Sequence, residues 1–246
     1  MARIQINAAS FGKEIQPLEG HLPTASYPEF IPDVVSAAEC ELRDDLANFR
    51  SRAYHQRLLF SGSAFLSARL SENDDFLITP SNFDPMYLDA PGIVRMHLGM
   101  REAGKIPSTA TPICRNIFNK CPWVNSILMM RPPYIMAFAV TNSAIDSRTI
   151  PESYIMMRDV PKLSSKEYFS DPDAIVKLLT PATPVVLIEN CGVLTTGKTI
   201  LEAFDRLEVS EFTAKCIIMA RRLGELSPIN DQQVSDIIEA FKLPTA

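Results

Sequence analysis

Apolar residues recur at helical spacing in three long segments of the chain. The first follows Ser36-x-x-Glu39, a capping-box signature that marks a helix start. The second runs over residues 199–223, and the third follows the break at Ser227-Pro228. In the second segment the residues expected to face inward are Leu201, Phe204, Leu207, Ala214 and Ile218. The pattern therefore predicts long amphipathic helices towards both ends of the chain.

Short apolar runs between these helices change to the spacing typical of strands. Strands are predicted at residues 76–79, 93–98, 126–130 and 185–189, with a hairpin continuing at 193–195. Shorter helices are predicted at 113–120, 134–140 and 173–179, within an otherwise loop-rich stretch at 141–184. Strands framed by helices predict one α/β domain over residues 34–246. Residues 1–33 are polar and proline-containing, so we expect an extended N-terminal arm, with a partly disordered leader as the alternative.

The composition of the chain argues against some classes of binding partner. The chain has 246 residues, of which 46% are hydrophobic, enough for one sizeable core. Its net charge of −5 and the absence of a basic run argue against nucleic acid or an anionic membrane as a partner. No run approaches the roughly 20 apolar residues of a transmembrane helix, and no signal peptide is visible. Five cysteines without a CxxC spacing fit a reducing compartment, so a cytoplasmic location is expected.

A series of motifs occurs in a characteristic order between residues 34 and 242. The earlier ones are Phe65-Leu66-Ser67-Ala68-Arg69, Phe76-Leu77-Ile78-Thr79-Pro80-Ser81, Gly104-Lys105-Ile106-Pro107-Ser108-Thr109, Arg131-Pro132-Pro133-Tyr134 and Thr149-Ile150-Pro151-Glu152-Ser153-Tyr154. The most specific is Glu189-Asn190-Cys191-Gly192-Val193-Leu194, followed by Gly197-Lys198. In the order and spacing of these motifs, the chain resembles the class II aldolase/adducin family. The resemblance implies a central, mainly antiparallel sheet flanked by helices, and a homo-oligomer, typically a tetramer.

The resemblance also implies where a metal ion would be held. In the family's sugar-phosphate aldolases three histidines bind a divalent ion, usually zinc, and a glutamate is the general acid/base. In this sequence the histidine positions correspond to Met129, Arg131 and Cys191, and the glutamate position to Ala110. A thioether, a guanidinium and one thiol do not replace three imidazoles, and the charge of Arg131 opposes a bound cation. We therefore expect no zinc and no other cofactor.

The phosphate-binding positions of the family are partly retained. A Gly-Asn pair is replaced by Ala64-Phe65, whereas polar residues remain at Ser81-Asn82 and Ser108-Thr109. With Arg131, these four residues are the predicted anion-binding set. Two alternatives remain open: Ser108 and Thr109 are also good helix caps, and Arg131 could pair with Glu189 instead.

Three hypotheses for function follow. The leading one is a divergent family member without the zinc site that binds an anionic or carbonyl small molecule. It is either non-catalytic or uses metal-free lyase or isomerase chemistry, with Arg131 as electrophilic stabiliser and Tyr134 as the second catalytic candidate. The first alternative is an oligomeric interaction or scaffold protein, as the adducins of the same family are. The second is a metal-dependent aldehyde-lyase acting on a sugar phosphate through ligands that the motifs do not reveal.

Overall fold

One mixed sheet forms the centre of the protein. The computed structural model describes residues 27–59, 64–71, 74–81 and 87–244. The strands are β1 (Glu29–Phe30), β2 (Phe65–Ser71), β3 (Asp75–Ile78), β4 (Val94–His97), β5 (Met100–Glu102), β6 (Ser126–Met130), β7 (Lys162–Leu163), β8 (Val185–Ile188) and β9 (Gly192–Gly197). The α-helices are α1 (Ala37–His55), α2 (Thr111–Lys120), α3 (Pro133–Ala139), α4 (Pro151–Met157), α5 (Ser165–Ser170), α6 (Ala174–Leu178), α7 (Ile200–Ala220) and α8 (Asp231–Phe241).

The strand order is β1-β5-β4-β3-β2-β6-β9-β8-β7. Every neighbouring pair is antiparallel except the two at the edges, β1 with β5 and β7 with β8, which are parallel. The predicted mainly antiparallel sheet is thus confirmed, with parallel pairing only at its margins. Strand β1 belongs to the end of the predicted N-terminal arm. The rest of that arm, residues 1–26, lies outside the described residues.

Both faces of the sheet are covered by helices. Along β6, Leu128 and Met130 pack into a layer formed with α1, α3, α4 and α7. Ile127 and Met129 point the other way, into a layer with α2, α5 and α6. A strand buried on both faces is apolar throughout, which is why β6 and β8 appear in the sequence as continuous runs rather than as alternations.

The predicted helices are mostly found, with two corrections. Ser36 caps α1 as predicted, its hydroxyl accepting from the Glu39 amide at 3.1 Å, and Thr199 caps α7. Leu201, however, is 49% exposed and does not face inward. The stretch at 141–184 is also richer in structure than predicted, since it contains α4 and α5, each too short to produce a periodic signal. No helix among the described residues is both long and apolar enough to cross a membrane.

A buried network of ion pairs fastens α1 to β3, β4 and β5. Glu39 is fully buried and accepts hydrogen bonds from Arg43, at 2.8 Å, and from Arg95, also at 2.8 Å. Arg95 donates in addition to both carboxylate oxygens of Asp75, and Arg43 donates to Glu102 at 2.8 Å. Charges of opposite sign alternate along the network, so each buried charge has compensating neighbours.

Removing the charge of Glu39 tests this network. In Glu39→Gln two guanidinium groups lose a buried carboxylate, and we expect the free energy of unfolding to fall by about 3–5 kcal/mol in urea denaturation. The matched control is Glu208→Gln, which breaks the more exposed pair with Arg52 (2.7 Å) and should cost about 1 kcal/mol or less. Equal losses in the two variants would contradict a special role for the buried network.

Candidate functional site

The end of β6 and the turn between β8 and β9 meet at one end of the sheet. Strand pairing places Met129 opposite Leu194 and Met130 opposite Val193, so Arg131 follows directly beside the turn. The Nε of Arg131 donates to the backbone carbonyl of Cys191 at 2.5 Å. Three positions separated by up to 62 residues in the sequence, Met129, Arg131 and Cys191, are therefore brought together.

The turn itself has a demanding backbone. Asn190 has a φ of 55°, in the left-handed region that Asn tolerates better than most residues. Its backbone N–H donates to the Ala139 carbonyl at 3.1 Å. Gly192 follows, and a Cβ at this position would lie only 2.5 Å from the carbonyl oxygen of Met130. The turn approaches the end of β6 closely because residue 192 has no side chain.

Tyr168 of α5 closes the inner side of this cluster. Its hydroxyl donates to the Sδ of Met129 at 3.4 Å, and the side chain is buried. Burial raises the pKa of the Tyr168 phenol; the nearby thiols of Cys114 and Cys191 act in the same direction, and Arg131 opposes them. The phenol is thus a neutral donor. Sequence reasoning missed Tyr168, because it lies 39 residues from Met129 in a stretch without a periodic signal.

The two thiols beside Tyr168 are also neutral. Burial raises the pKa of Cys191, with Arg131 acting in the opposite direction. Burial raises the pKa of the fully buried Cys114 to about 12, although a hydrogen bond with Ser67 acts the other way. Because a thiol reacts and ligates as its thiolate, these side chains are weak nucleophiles and weak metal ligands in their present surroundings.

The comparisons with known proteins bear on this arrangement. The family model of the class II aldolase and adducin N-terminal domain matches residues 44–218. This chain belongs to the class II aldolase and adducin family. No curated protein sequence is significantly similar to it.

Solved structures of the family share the fold. An L-fuculose 1-phosphate aldolase superposes with a TM-score of 0.72 at 20% identity, covering 85% of this chain and 98% of that one. YgbL from Escherichia coli gives 0.71 at 20% identity, with coverage of 81% and 98%. An aldolase II superfamily protein from Pseudomonas syringae gives 0.74 at 20% identity, with coverage of 85% and 87%. At such identities the likeness establishes the fold and leaves the activity to be argued from the site.

Met129, Arg131 and Cys191, the residues that the resemblance places at the family's metal positions, do not have the chemistry that suits zinc. They supply a thioether, a guanidinium and a protonated thiol, whereas zinc takes imidazole, thiolate or carboxylate ligands. In the described part of the chain, no group of three or more His, Cys, Asp or Glu side chains is placed to hold a metal ion. His55 lies at the end of α1 and His97 lies 3.3 Å from Asp75, both away from the turn. His21 lies outside the described residues.

The four polar residues predicted from the resemblance to bind an anion, besides Arg131, belong to two adjoining segments of the chain. Pro80 and Pro107 form an antiparallel bridge, which places Ser81 beside Ile106 and Ser108 beside Thr79. The Ser81 amide donates to the Ile106 carbonyl at 2.9 Å, and the Ser108 amide donates to the Thr79 carbonyl at 3.1 Å. The Ser81 hydroxyl donates to the Pro107 carbonyl at 2.6 Å, and the Ser108 hydroxyl accepts from the Ala110 amide at 3.2 Å. Thr109 is exposed, and Asn82 lies outside the described residues. Both serine hydroxyls therefore help to hold the loop before α2, and each keeps some capacity to accept another hydrogen bond.

Tyr134 is placed differently from the other predicted site residues. It packs partly buried in the layer of α3 and α7, on the opposite face of the sheet from Met129 and Cys191. Its ring centroid lies 5.4 Å from the Nζ of Lys215. The carboxylate of Glu211 accepts from the amides of Tyr134 and Ile135, at 3.0 and 2.8 Å, and so caps the start of α3. The residues after Arg131 are thereby anchored to α7.

The close approach at Gly192 yields a stability prediction. Gly192→Ala forces its methyl against the Met130 carbonyl, and we expect a loss of about 1–3 kcal/mol in urea denaturation. Gly104→Ala is the control, because Gly104 has a φ of +76° but no atom within 4 Å of the position that an added methyl would take, so only backbone strain is added. A Gly192→Ala protein no less stable than Gly104→Ala would argue against the steric account.

Glu211 yields a pH prediction. Burial raises the pKa of Glu211 above its ordinary value of 4.5, although the two amide hydrogen bonds oppose the shift. The folded state thus binds this proton more tightly than the unfolded state does. The resulting stabilisation is complete below the unfolded pKa and is lost as pH rises through the folded pKa.

We therefore expect the free energy of unfolding of the wild type, measured relative to Glu211→Gln, to decrease as pH rises above about 4.5, the ordinary pKa of this glutamate. Urea denaturation at a series of pH values measures the difference. Glu225→Gln, which changes an exposed carboxylate, controls for net charge. A difference between wild type and Glu211→Gln that stays constant or increases with pH would contradict the assignment.

Proposed function

We propose that this chain is a metal-independent member of the class II aldolase family that binds a small anionic or carbonyl compound beside Arg131. The observation that carries the proposal is the contact between Arg131 and the carbonyl of Cys191, at the meeting point of the family's metal positions. The framework that brings these positions together is kept, while the groups it presents have changed from metal ligands to a fixed cation and neutral sulfur.

Electrostatics favours an anionic ligand beside Arg131 over a metal cation. A guanidinium stays protonated at any physiological pH, so it acts as a permanent positive charge in a site that is only partly open to water. A divalent cation placed nearby would be repelled, and a carboxylate, phosphate or polarised carbonyl oxygen would be attracted. The bond to the Cys191 carbonyl orients the guanidinium, which reduces the entropy lost when a ligand binds.

Two features argue against the family's metal-dependent aldol chemistry in this chain. The position of the general acid/base is Ala110, which is buried and cannot transfer a proton. The neutral thiols and phenol around Met129 have raised pKa values, so they are poor bases at neutral pH. Any chemistry at this site would depend on Arg131 stabilising negative charge on a bound oxygen.

An interaction or scaffold role is a second candidate, favoured by the outer face of α7. Leu201, Phe212 and Met219 are 49%, 57% and 56% exposed. At 100° per residue they fall within about 20° of one another around the helix, so they form one apolar stripe. Such a stripe suits contact with another chain, and we propose a homo-oligomer that uses it.

Metal analysis and ligand screening test the proposal together. We expect purified wild type to contain far less than stoichiometric zinc, and Cys191→Ser to leave the metal content unchanged. Sugar phosphates and small carboxylates at about 100 times their Kd should stabilise the fold by about 2.7 kcal/mol, a rise in Tm of roughly 5–10 °C for a chain of this size. Arg131→Gln should lose that response, and Arg148→Gln, at an exposed ion pair, should keep it.

The other outcomes separate the alternatives. Stoichiometric zinc that is lost in Cys191→Ser would favour a metal-dependent lyase and overturn the proposal. A wild-type protein that no anion stabilises would leave the interaction role. That role predicts a smaller assembly for Phe212→Ser than for wild type in analytical ultracentrifugation.

A further inference from the structure

A cavity lies at the opposite end of β6 from Arg131. It has a volume of about 470 Å³ and is bounded by α4, α7 and the segment after α8. Trp123 precedes β6, and Lys198 follows β9 where Gly197 pairs with Ser126, so the whole of β6 separates this cavity from the Arg131 site. A volume of this size is typical of small-molecule sites.

Positive charge predominates around this cavity although the chain carries a net charge of −5. Among the described residues, four cations line it, against a single carboxylate, Glu202; the cations are Arg158, Lys198, Arg206 and Lys242. That carboxylate is already engaged, since it accepts from Arg206 at 2.7 Å and from the Lys198 amide at 2.6 Å. The side chains of Lys198 and Lys242 make no ion pair with any other described residue.

Arg206 has a structural role in the wall of the cavity. Its guanidinium donates to the backbone carbonyls of Met156, at 3.2 Å, and Thr196, at 2.5 Å, besides Glu202. These bonds tie α7 to α4 and to β9. The remaining cations, Arg158, Lys198 and Lys242, are the ones available to a ligand.

The backbone conformation of Arg158 and the surroundings of its side chain both cost free energy. It ends α4 with φ 54° and ψ −135°, close to the first central residue of a type II′ turn, a position dominated by glycine. Its Nη1 is buried and has no hydrogen-bond partner among the described residues. Its guanidinium carbon lies 5.1 Å from the ring centroid of Tyr154, which holds the group in place. A strained backbone together with an unsatisfied buried donor marks a candidate functional residue.

The rest of the lining is apolar. Trp123, Ile155, Met156 and Phe241 contribute, together with three prolines. An apolar wall facing a group of cations suits a ligand that combines a hydrophobic body with an anionic head, because each part then meets a complementary surface.

We propose that this cavity binds an organic anion, a phosphate or carboxylate carried on a flat apolar body. Arg158, Lys198 and Lys242 bind the anionic group, and Trp123 lies against the body. An anionic group in the cavity would be attracted by the positive charge that Arg158 adds to that of the two lysines. This site is independent of the one proposed at Arg131.

Trp123 gives a direct signal for the test, because it is the only tryptophan in the chain. Its fluorescence is titrated with phenyl phosphate, benzoate, inorganic phosphate and benzyl alcohol. We expect a saturable change with phenyl phosphate or benzoate, and the tighter of the two identifies the preferred head group. Inorganic phosphate should bind more weakly, and benzyl alcohol, which has no charge, should give no saturable change. The absence of saturable binding by both aromatic anions would overturn the proposal.

Two substitutions at Arg158 separate binding from folding. Arg158→Gln removes the charge and should weaken binding about tenfold or more, as expected for the loss of a charge-assisted hydrogen bond. Arg158→Gly should weaken it similarly, yet melt no lower than wild type without ligand, because glycine adopts this backbone conformation without strain. Wild-type affinity in both variants would also overturn the proposal.

Control variants keep the two sites distinct. Arg148→Gln, at an exposed pair with Asp231, should bind like wild type. Arg131→Gln should leave the Trp123 signal unchanged, so failure at one site does not decide the other. A Trp123 response that disappears in Arg131→Gln would assign the ligand to the Arg131 site and contradict a second one.

Discussion

The position of β6 is the constraint on which the rest of the structure depends. This strand is paired on both edges, with β2 and β9, and its five residues are buried on both faces. It therefore separates two apolar layers that cannot shift relative to each other without breaking a full ladder of hydrogen bonds. A rigid strand of this kind fixes what lies at its ends. The Arg131 cluster lies beyond one end and the Trp123 cavity lies beyond the other.

The same constraint makes the geometry of the turn independent of the side chains beside it. The register of β6 with β9 and the missing side chain at Gly192 set the approach of the turn, and neither depends on which residues occupy positions 129, 131 and 191. Met129 and Tyr168 fill the interior by packing and one weak hydrogen bond to sulfur. The guanidinium of Arg131 then provides the positive charge at the site. The backbone geometry can therefore persist whichever side chains these three positions carry.

The sequence predicts those parts of the structure that depend on local or repeating signals. The cap at Ser36, the helix α7 and the strands β6 and β8 each have such a signal, and the motif order identifies the family. The cluster at Met129, Arg131 and Cys191 was predictable only through that family, since no local pattern joins residues 62 apart.

The sequence does not reveal side-chain contacts between distant segments. Examples are the contact of Tyr168 with Met129, the network at Glu39 and the capping of α3 by Glu211. No periodicity encodes them, because each depends on how complete elements pack. Arg158 was missed for another reason: glycine is the expected residue at its backbone conformation, and an arginine gives no turn signal.

The buried charges of this protein differ in how completely they are compensated. Glu39 is shared between the guanidinium groups of Arg43 and Arg95, and Arg95 also pairs with Asp75, so the network is closed within the protein. Arg206 is likewise satisfied, by two carbonyls and Glu202. Arg158 differs, because one of its terminal nitrogens lacks an acceptor and its backbone is strained as well. Stability alone would favour glycine there, with its freedom to adopt the turn and no donor to satisfy. An arginine that stands there against both costs adds a positive charge to the wall of the cavity, beside Lys198 and Lys242, and an anion bound in that cavity would be attracted by all three cations.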